Sequence, residues 1–114
     1  VVSVYDPAAP TGSGWWHWHL VNLPASTKEL PRGAKVGKGI PKASFQTKNA
    51  YSKVGFGGAC PPPGEVHRYV FTVWALDVPK LKVDKNTSNA TVGFMTQAHA
   101  LGKAHITAVY TKSR

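Results

Sequence analysis

The sequence predicts an all-β domain with one small helix, and three observations support this class. Residues 1–5, 15–23, 67–76 and 103–111 are rich in Val, Tyr, Trp and Thr, which favour strands. Only residues 89–101 have apolar side chains at helical spacing. The length of 114 residues fits one domain, and no apolar run approaches the ~20 residues of a membrane-spanning helix.

The first two predicted strands are separated by a turn. Residues 6–14 contain Pro and Gly, which central strands exclude and turns favour. In residues 15–23, a period of two places Trp16, Trp18 and Leu20 on one face, which we expect to be the core face. The opposite face is mixed and includes two imidazoles: Trp15, His17, His19 and Val21.

The rest of the chain alternates between loops and regular elements. Residues 24–59 lack periodicity and predict a long loop, and residues 55–64 form a stiff Gly/Pro segment. Residues 67–76 are apolar on both faces, which predicts a central strand buried on two sides. The helix over residues 89–101 follows N-cap candidates and ends before Gly102, and a strand follows it.

The charge of the chain favours anionic partners. Fourteen Lys and Arg against five Asp and Glu give a net charge of +9. Half of the basic residues lie in residues 28–53, opposed only by Glu29: Lys28, Arg32, Lys35, Lys38, Lys42, Lys48 and Lys53. A solvated basic loop is one explanation. A basic surface that binds nucleic acid or an acidic membrane is another, and salt would weaken it steeply.

The first residues, Val1 to Tyr5, have the composition of a strand interior, which predicts an N-terminally incomplete domain. They show no features of a signal peptide, so a cytoplasmic and a periplasmic location both stay open. We expect the first strand to lie in a sheet whose neighbours this sequence does not fully supply, and to expose an apolar edge together with part of Trp16, Trp18 and Leu20. The isolated chain would then be insoluble or molten until a missing N-terminal segment or a second chain covered it.

Four polar residues at the ends of predicted strands could form a pocket for an anion. They are Asp6, His17, His67 and Tyr69, and a Gly/Pro loop precedes His67. Imidazole N–H groups and a tyrosine hydroxyl donate hydrogen bonds to phosphate oxygens, and Asp6 could orient one histidine.

Two other uses of these residues are open. His17, His19 and His67 could form a three-histidine metal site. Cys60, the single cysteine, cannot form an internal disulfide, and as a thiolate beside His67 it could serve a small hydrolase.

Two long motifs in this order resemble the phosphatidylethanolamine-binding protein family, in its bacterial Raf-kinase-inhibitor-like branch. The first is the Asp-Pro turn followed by Trp-His within residues 5–18, and the second is the Gly/Pro loop followed by His-Arg-Tyr within residues 57–73. Residues 92–109 fit the helix and closing strand of that family. The resemblance implies a β-sandwich with a large central sheet, a small C-terminal peripheral helix and an anion pocket.

By motif match the implied ligand-binding residues are Asp6, Ala9, Pro10, His17, His67 and Tyr69, with Cys60 and Pro61 in the wall of the pocket. The resemblance implies binding without catalysis, cofactor or metal, and a kinase or protease as a modulated partner. A homodimer and peripheral membrane contact are also compatible with it.

The chain departs from the family in two places. Ala8 stands where the family has a second acidic residue, which leaves the site more positive and puts recognition of an ammonium headgroup in question. Strands that precede the position of Val1 in the family are absent. In some bacterial relatives that segment includes a cysteine, a candidate partner for Cys60.

Overall fold

A computed structural model describes residues 1–34 and 38–113. Five strands form one antiparallel sheet in the order β3-β2-β1-β4-β5, and one short helix precedes the last strand. The elements are β1 (Val2–Asp6), β2 (Trp15–Val21), β3 (Phe45–Gln46), β4 (Val66–Leu76), α1 (Asn89–Ala98) and β5 (Ala100–Thr111). This confirms a mostly β chain with one small helix. The described strands all belong to this one sheet, so a second sheet of a sandwich is not among them.

The strand β1 lies in the middle of the sheet, not at an edge. It pairs with β2 on one side, where Val4 faces Trp18, and with β4 on the other, where Val4 faces Phe71. Val1 is buried, and its ammonium group donates a hydrogen bond to the carbonyl of Trp74 at 3.3 Å. The expectation that the sequence does not fully supply the neighbours of this strand is therefore wrong, because β4 returns from the distant half of the chain to pair with it.

A β-bulge in β2 changes which side chains share a face. Val4 pairs with Trp18 and Tyr5 pairs with Trp16, so His17 is an extra residue with no partner on β1. Beyond the bulge the alternation is inverted. Trp16 stacks on His19, with 4.5 Å between ring centroids, and His17 lies against Tyr69 at 5.2 Å. The prediction that Trp16 shares a face with Trp18 is wrong for this reason.

Both faces of the sheet are covered by apolar side chains. On one face, here called the loop face, Val4, Trp18, Leu20 and Tyr69 are buried. Leu23 and, from the long loop, Leu30 and Ile40 pack against them. On the other, the helix face, Val21 and Val92 pack with Val1 and Leu81. Removing a Leu or Val side chain from water contributes about 1.5–3 kcal/mol, so these two clusters stabilise the centre of the sheet.

The long loop predicted over residues 24–59 contains a short strand that its sequence did not indicate. β3 pairs through Gln46 and Phe45 with Leu20 and Val21 at the end of β2. The side-chain oxygen of Gln46 accepts a hydrogen bond from the indole N–H of Trp18 at 2.7 Å. Polar side chains fix this segment, so hydrophobic periodicity could not reveal it.

Burial decreases towards the far edge of the sheet. β4 is hydrogen-bonded on both sides, but within it only His67, Tyr69 and Thr72 are buried, so the predicted burial on two sides is wrong. β5 is exposed along its whole length, including Leu101 and Ile106. An apolar strand sequence indicates that the faces of the strand can be buried, but it does not show that another segment packs against them.

The helix α1 begins as predicted and ends three residues early. The hydroxyl of Ser88 accepts the backbone N–H of Thr91 at 3.2 Å, which caps the first turn. The helix stops at Ala98 because pairing of β5 with Leu76 begins at Ala100, and this places Leu101 and Gly102 in the strand. In the described part of the chain, no helix combines the length and the hydropathy needed to cross a bilayer.

Replacing the cap, Ser88→Ala, is expected to lower the free energy of unfolding by about 1 kcal/mol, since one N–H at the helix start loses its acceptor. Urea denaturation measures this. Ser13→Ala is the matched control, because Ser13 is exposed and its hydroxyl makes no hydrogen bond to the described residues. Equal stability of the two variants would contradict the capping role.

Candidate functional site

All eight residues predicted from the sequence line one cavity of about 270 Å³. They are Asp6, Ala9, Pro10, His17, Cys60, Pro61, His67 and Tyr69. Four further residues, which the sequence analysis did not select, complete the lining: Thr11, Trp15, Tyr51 and Pro62. The cavity lies where the turn after β1, the bulge in β2 and the start of β4 meet.

The register of the sheet brings the polar residues together. Asp6 is the last residue of β1 and lies two residues after Val4, which is on the loop face. His67 and Tyr69 are alternate residues near the start of β4, so their side chains lie on this same face. The bulge adds His17 to this face, which regular alternation would not do. Asp6 is further fixed because its Oδ1 accepts the backbone N–H of Ala8 at 2.8 Å.

His67 is held between two carboxylates. Its Nδ1 lies 2.6 Å from Oδ2 of Asp6, and its Nε2 lies 2.8 Å from Oε1 of Glu65. An ionised carboxylate only accepts hydrogen bonds, so this geometry favours the imidazolium form, in which both ring nitrogens donate. The hydrogen bonds to Glu65 and then to Asp6 raise the pKa of His67 above its ordinary value, against the opposing effect of burial.

His17 and Tyr69 have polar groups that the described residues leave available. Nδ1 of His17 donates to the carbonyl of Gly57 at 2.8 Å, so Nε2 is the ring nitrogen without a hydrogen bond to those residues. The hydroxyl of Tyr69 likewise makes no hydrogen bond to them. Burial, with the nearby charge of Asp6, raises the pKa of Tyr69 to about 12. The phenol therefore stays protonated, and its O–H can donate a hydrogen bond.

The wall formed by residues 57–62 is attached to the sheet through its backbone. Besides the bond from His17 to Gly57, the hydroxyl of Tyr51 donates to the carbonyl of Gly58 at 2.8 Å. Tyr51 also packs edge-to-face on Trp15, with 5.2 Å between ring centroids. The aromatic side chains therefore hold the shape of the loop that carries Cys60 and Pro61.

Sequence reasoning missed residues of two kinds. Tyr51 lies in a segment without periodicity, and no local signal could assign it to the cavity. Glu65 stands two residues before His67, and the period of two along a strand could have placed their side chains together.

The geometry does not support the two alternative uses of these residues. His19 lies on the helix face and stacks on Trp16, away from His17, so the three histidines do not form a metal site. The described residues contain no group of three or more His, Cys, Asp or Glu side chains arranged to hold a metal. Both nitrogens of His67 bond to carboxylates, so neither is hydrogen-bonded to the thiol of Cys60. The Sγ of Cys60 lies instead 3.7 Å from Nζ of Lys112.

The basic side chains of the long loop have no carboxylate partners within the described residues. Every ion pair found there joins a histidine to an acid, and none includes Lys or Arg. Lys35, one of the seven basic residues of residues 28–53, falls outside the described residues. None of the other six therefore forms an ion pair with an acid of the described residues.

The motifs that build this cavity belong to a known family. The sequence profile described as "Phosphatidylethanolamine-binding protein" matches residues 1–111. The chain belongs to the phosphatidylethanolamine-binding protein family. Among its relatives are two Escherichia coli K12 proteins named UPF0098 protein YbhB and UPF0098 protein YbcL. YbhB is 52% identical over 112 residues, and YbcL is 51% identical over 112 residues.

The match covers nearly the whole chain but only part of these relatives. It includes 97% of the chain and 71% of YbhB, and 96% of the chain and 61% of YbcL. The crystal structure of YbcL, described as a new member of the mammalian PEBP family, superposes with a TM-score of 0.91 at 50% identity. It covers 96% of this chain and 69% of that one. A Chlamydia trachomatis homologue superposes with a TM-score of 0.79 at 28% identity, covering 98% and 71%. The fold is therefore the one that this family has.

Proposed function

We propose that this family member binds a small anionic group, a phosphate or a phosphorylated headgroup, without chemical turnover. One observation carries the proposal: Nε2 of His17 and the hydroxyl of Tyr69 line the same cavity, and neither is bonded to the described residues. The hydroxyl of Tyr69 can donate a hydrogen bond to a phosphate oxygen, and Nε2 of His17 can do so when the ring carries a second proton. A cavity of about 270 Å³ suits a small group rather than a large ligand.

Binding rather than catalysis is supported by what surrounds these donors. The imidazolium of His67 already donates from both nitrogens, and the described contacts give the thiol of Cys60 no imidazole base. Turnover by nucleophilic attack needs such a base or a thiol with a lowered pKa. The walls are apolar and stiff, which suits the capture of a group whose polar contacts come from a few fixed side chains.

The variants His17→Ala and Tyr69→Phe are each expected to weaken phosphate binding by about 1–3 kcal/mol, the range for hydrogen bonds to a charged group. Calorimetric titration with inorganic phosphate and with phosphoethanolamine measures this. His99→Gln is the control, because Nδ1 of His99 is also hydrogen-bonded, in this case to Asp77, but His99 is not part of the cavity lining. If the double variant His17→Ala/Tyr69→Phe binds phosphate as tightly as the wild type, the pocket assignment is wrong.

The basic loop supports a second candidate function, a surface for nucleic acid or an acidic membrane. The observation in its favour is the absence of acid partners for its described Lys and Arg side chains. Salt separates the two candidates. Affinity for an anionic polymer falls steeply as salt rises, and binding in a walled pocket depends less on it.

A further inference from the structure

The imidazolium of His67 has no free donor for a ligand. Its ring is 2% exposed, with Asp6 at Nδ1 and Glu65 at Nε2. With both acids ionised and the ring protonated, this group of three has a net charge of −1. An anion that is to bond to His67 must therefore first displace one of the two acids.

The two acids differ in how firmly they are held. Asp6 is buried, and both of its oxygens are used, one by His67 and the other by the N–H of Ala8. The side chain of Glu65 is 51% exposed, and its bond to His67 is its one hydrogen bond within the described residues. Glu65 is therefore the acid that can leave.

The backbone of Glu65 stays in place when its side chain moves. Its N–H donates to the carbonyl of Pro62 at 3.2 Å, and its carbonyl accepts the hydroxyl of Thr111 at 2.8 Å. Release therefore needs only rotation about side-chain bonds, and the freed carboxylate is solvated by water. The loop that contains Cys60 and Pro61 does not have to open.

We propose that Glu65 is a tethered competitor that lowers the apparent affinity of every anion for the site, so that a phosphate group still binds and a weaker monocarboxylate does not. This rests on the proposed function, which it deepens. Because the Glu65 carboxylate is attached to the chain beside His67, it competes like a free carboxylate at a high local concentration. A dissolved monocarboxylate therefore cannot replace it. A phosphate group carries more charge and more acceptor oxygens, and it can bond to His67, His17 and Tyr69 together.

The test compares Glu65→Ala and Glu65→Gln with the wild type, using inorganic phosphate and acetate as the two probes in calorimetric titrations at pH 7. A competitor that occupies the site nine-tenths of the time lowers the apparent affinity roughly tenfold. Phosphate is therefore expected to bind roughly tenfold more tightly to Glu65→Ala, and acetate binding is expected to become measurable. Asp77→Asn is the matched control, because it removes the acid of an exposed pair of the same 2.8 Å length.

The outcomes separate this inference from the proposed function. If the wild type and Glu65→Ala bind phosphate with equal affinity, or if Glu65→Ala binds it more weakly, the role of Glu65 is overturned and the phosphate site stands. If neither protein binds phosphate, both are overturned. Tighter phosphate binding in Glu65→Ala and not in Asp77→Asn supports the tethered competitor.

Discussion

The free energy of unfolding is expected to fall by about 3 kcal/mol as the pH is lowered from 7 to 4, mainly through His19. This side chain is 1% exposed on the helix face, and its Nδ1 has no hydrogen-bond partner within the described residues. Burial, with a smaller contribution from the N-terminal ammonium group, lowers the pKa of His19 from 6.5 to about 4. Protonation therefore favours the unfolded chain, and the stability present above pH 6.5 is lost between 6.5 and 4.

His67 acts in the opposite direction and in a different range. Its pKa is raised in the folded chain, so its contribution is complete below the ordinary value of 6.5 and is lost as the pH rises through the folded value. The decrease in stability below pH 6.5 therefore does not come from His67. The two buried histidines together predict that stability is greatest near neutral pH.

Urea denaturation at pH 7, 5.5 and 4 measures the effect. The variant His19→Gln replaces the titrating imidazole with a neutral amide side chain of similar size. The variant is expected to lose the part of the pH dependence that His19 causes. His105→Gln, on exposed β5, is the control and should keep it. If His19→Gln is too unstable to compare, the pKa of His19 in the wild type can be read from its NMR shifts. An ordinary value there would contradict the prediction.

The contrast between His17 and His19 shows how far the sequence could predict the site. Their alternation predicted two histidines on one face, and the motifs correctly selected His17 for the cavity. The bulge that separates them is a choice of hydrogen-bond register between β1 and β2. Counting residues along one strand cannot detect it, because the extra residue exists only relative to the partner strand.

The cavity residues that could be predicted lie in short motifs whose chemistry is local. Asp6 before Pro and His67 after a Gly/Pro loop are visible in the sequence itself, and the resemblance added Ala9 and Pro10. Tyr51 could not be found in this way, because it reaches the wall through a hydrogen bond to the carbonyl of Gly58. Such a contact depends on the path of two loops, which no periodicity encodes.

The sequence predicted the fold correctly where the hydrophobic pattern of a strand agrees with its pairing. The predictions were wrong where burial depends on segments that are distant in the sequence. β4 has apolar residues on both faces, yet Val73 is 54% exposed while the next residue, Trp74, packs against the cluster of the helix face. β1 has the composition of an interior strand and is one, since β4 pairs with it across sixty-five residues or more of sequence. The composition of a strand indicates whether it can be buried, and the topology of the sheet decides which segments pack against it.

The 114-residue polypeptide, produced alone, is expected to associate or aggregate through β5. This strand ends the sheet, so one row of its backbone N–H and C=O groups has no partner strand among the described residues, and Leu101, Ile106 and Val109 are 73%, 74% and 66% exposed. Exposed apolar edge strands pair with other chains. Leaving each large apolar side chain in water forgoes about 1.5–3 kcal/mol, so a few of them rival the about 5–15 kcal/mol that stabilises a small domain.

Light scattering after size-exclusion chromatography, with binding of a hydrophobic dye, measures the association. The double variant Leu101→Lys/Ile106→Lys is expected to reduce it, because charges on an edge strand oppose pairing and solvate the surface. Lys103→Gln, an exposed change on the same strand, is the control and should not reduce it. A monomeric wild-type chain that binds no dye and unfolds cooperatively would show that the β5 surface is stable in water without cover. In that case the exposure of the apolar side chains of β5 would not cause the chain to associate.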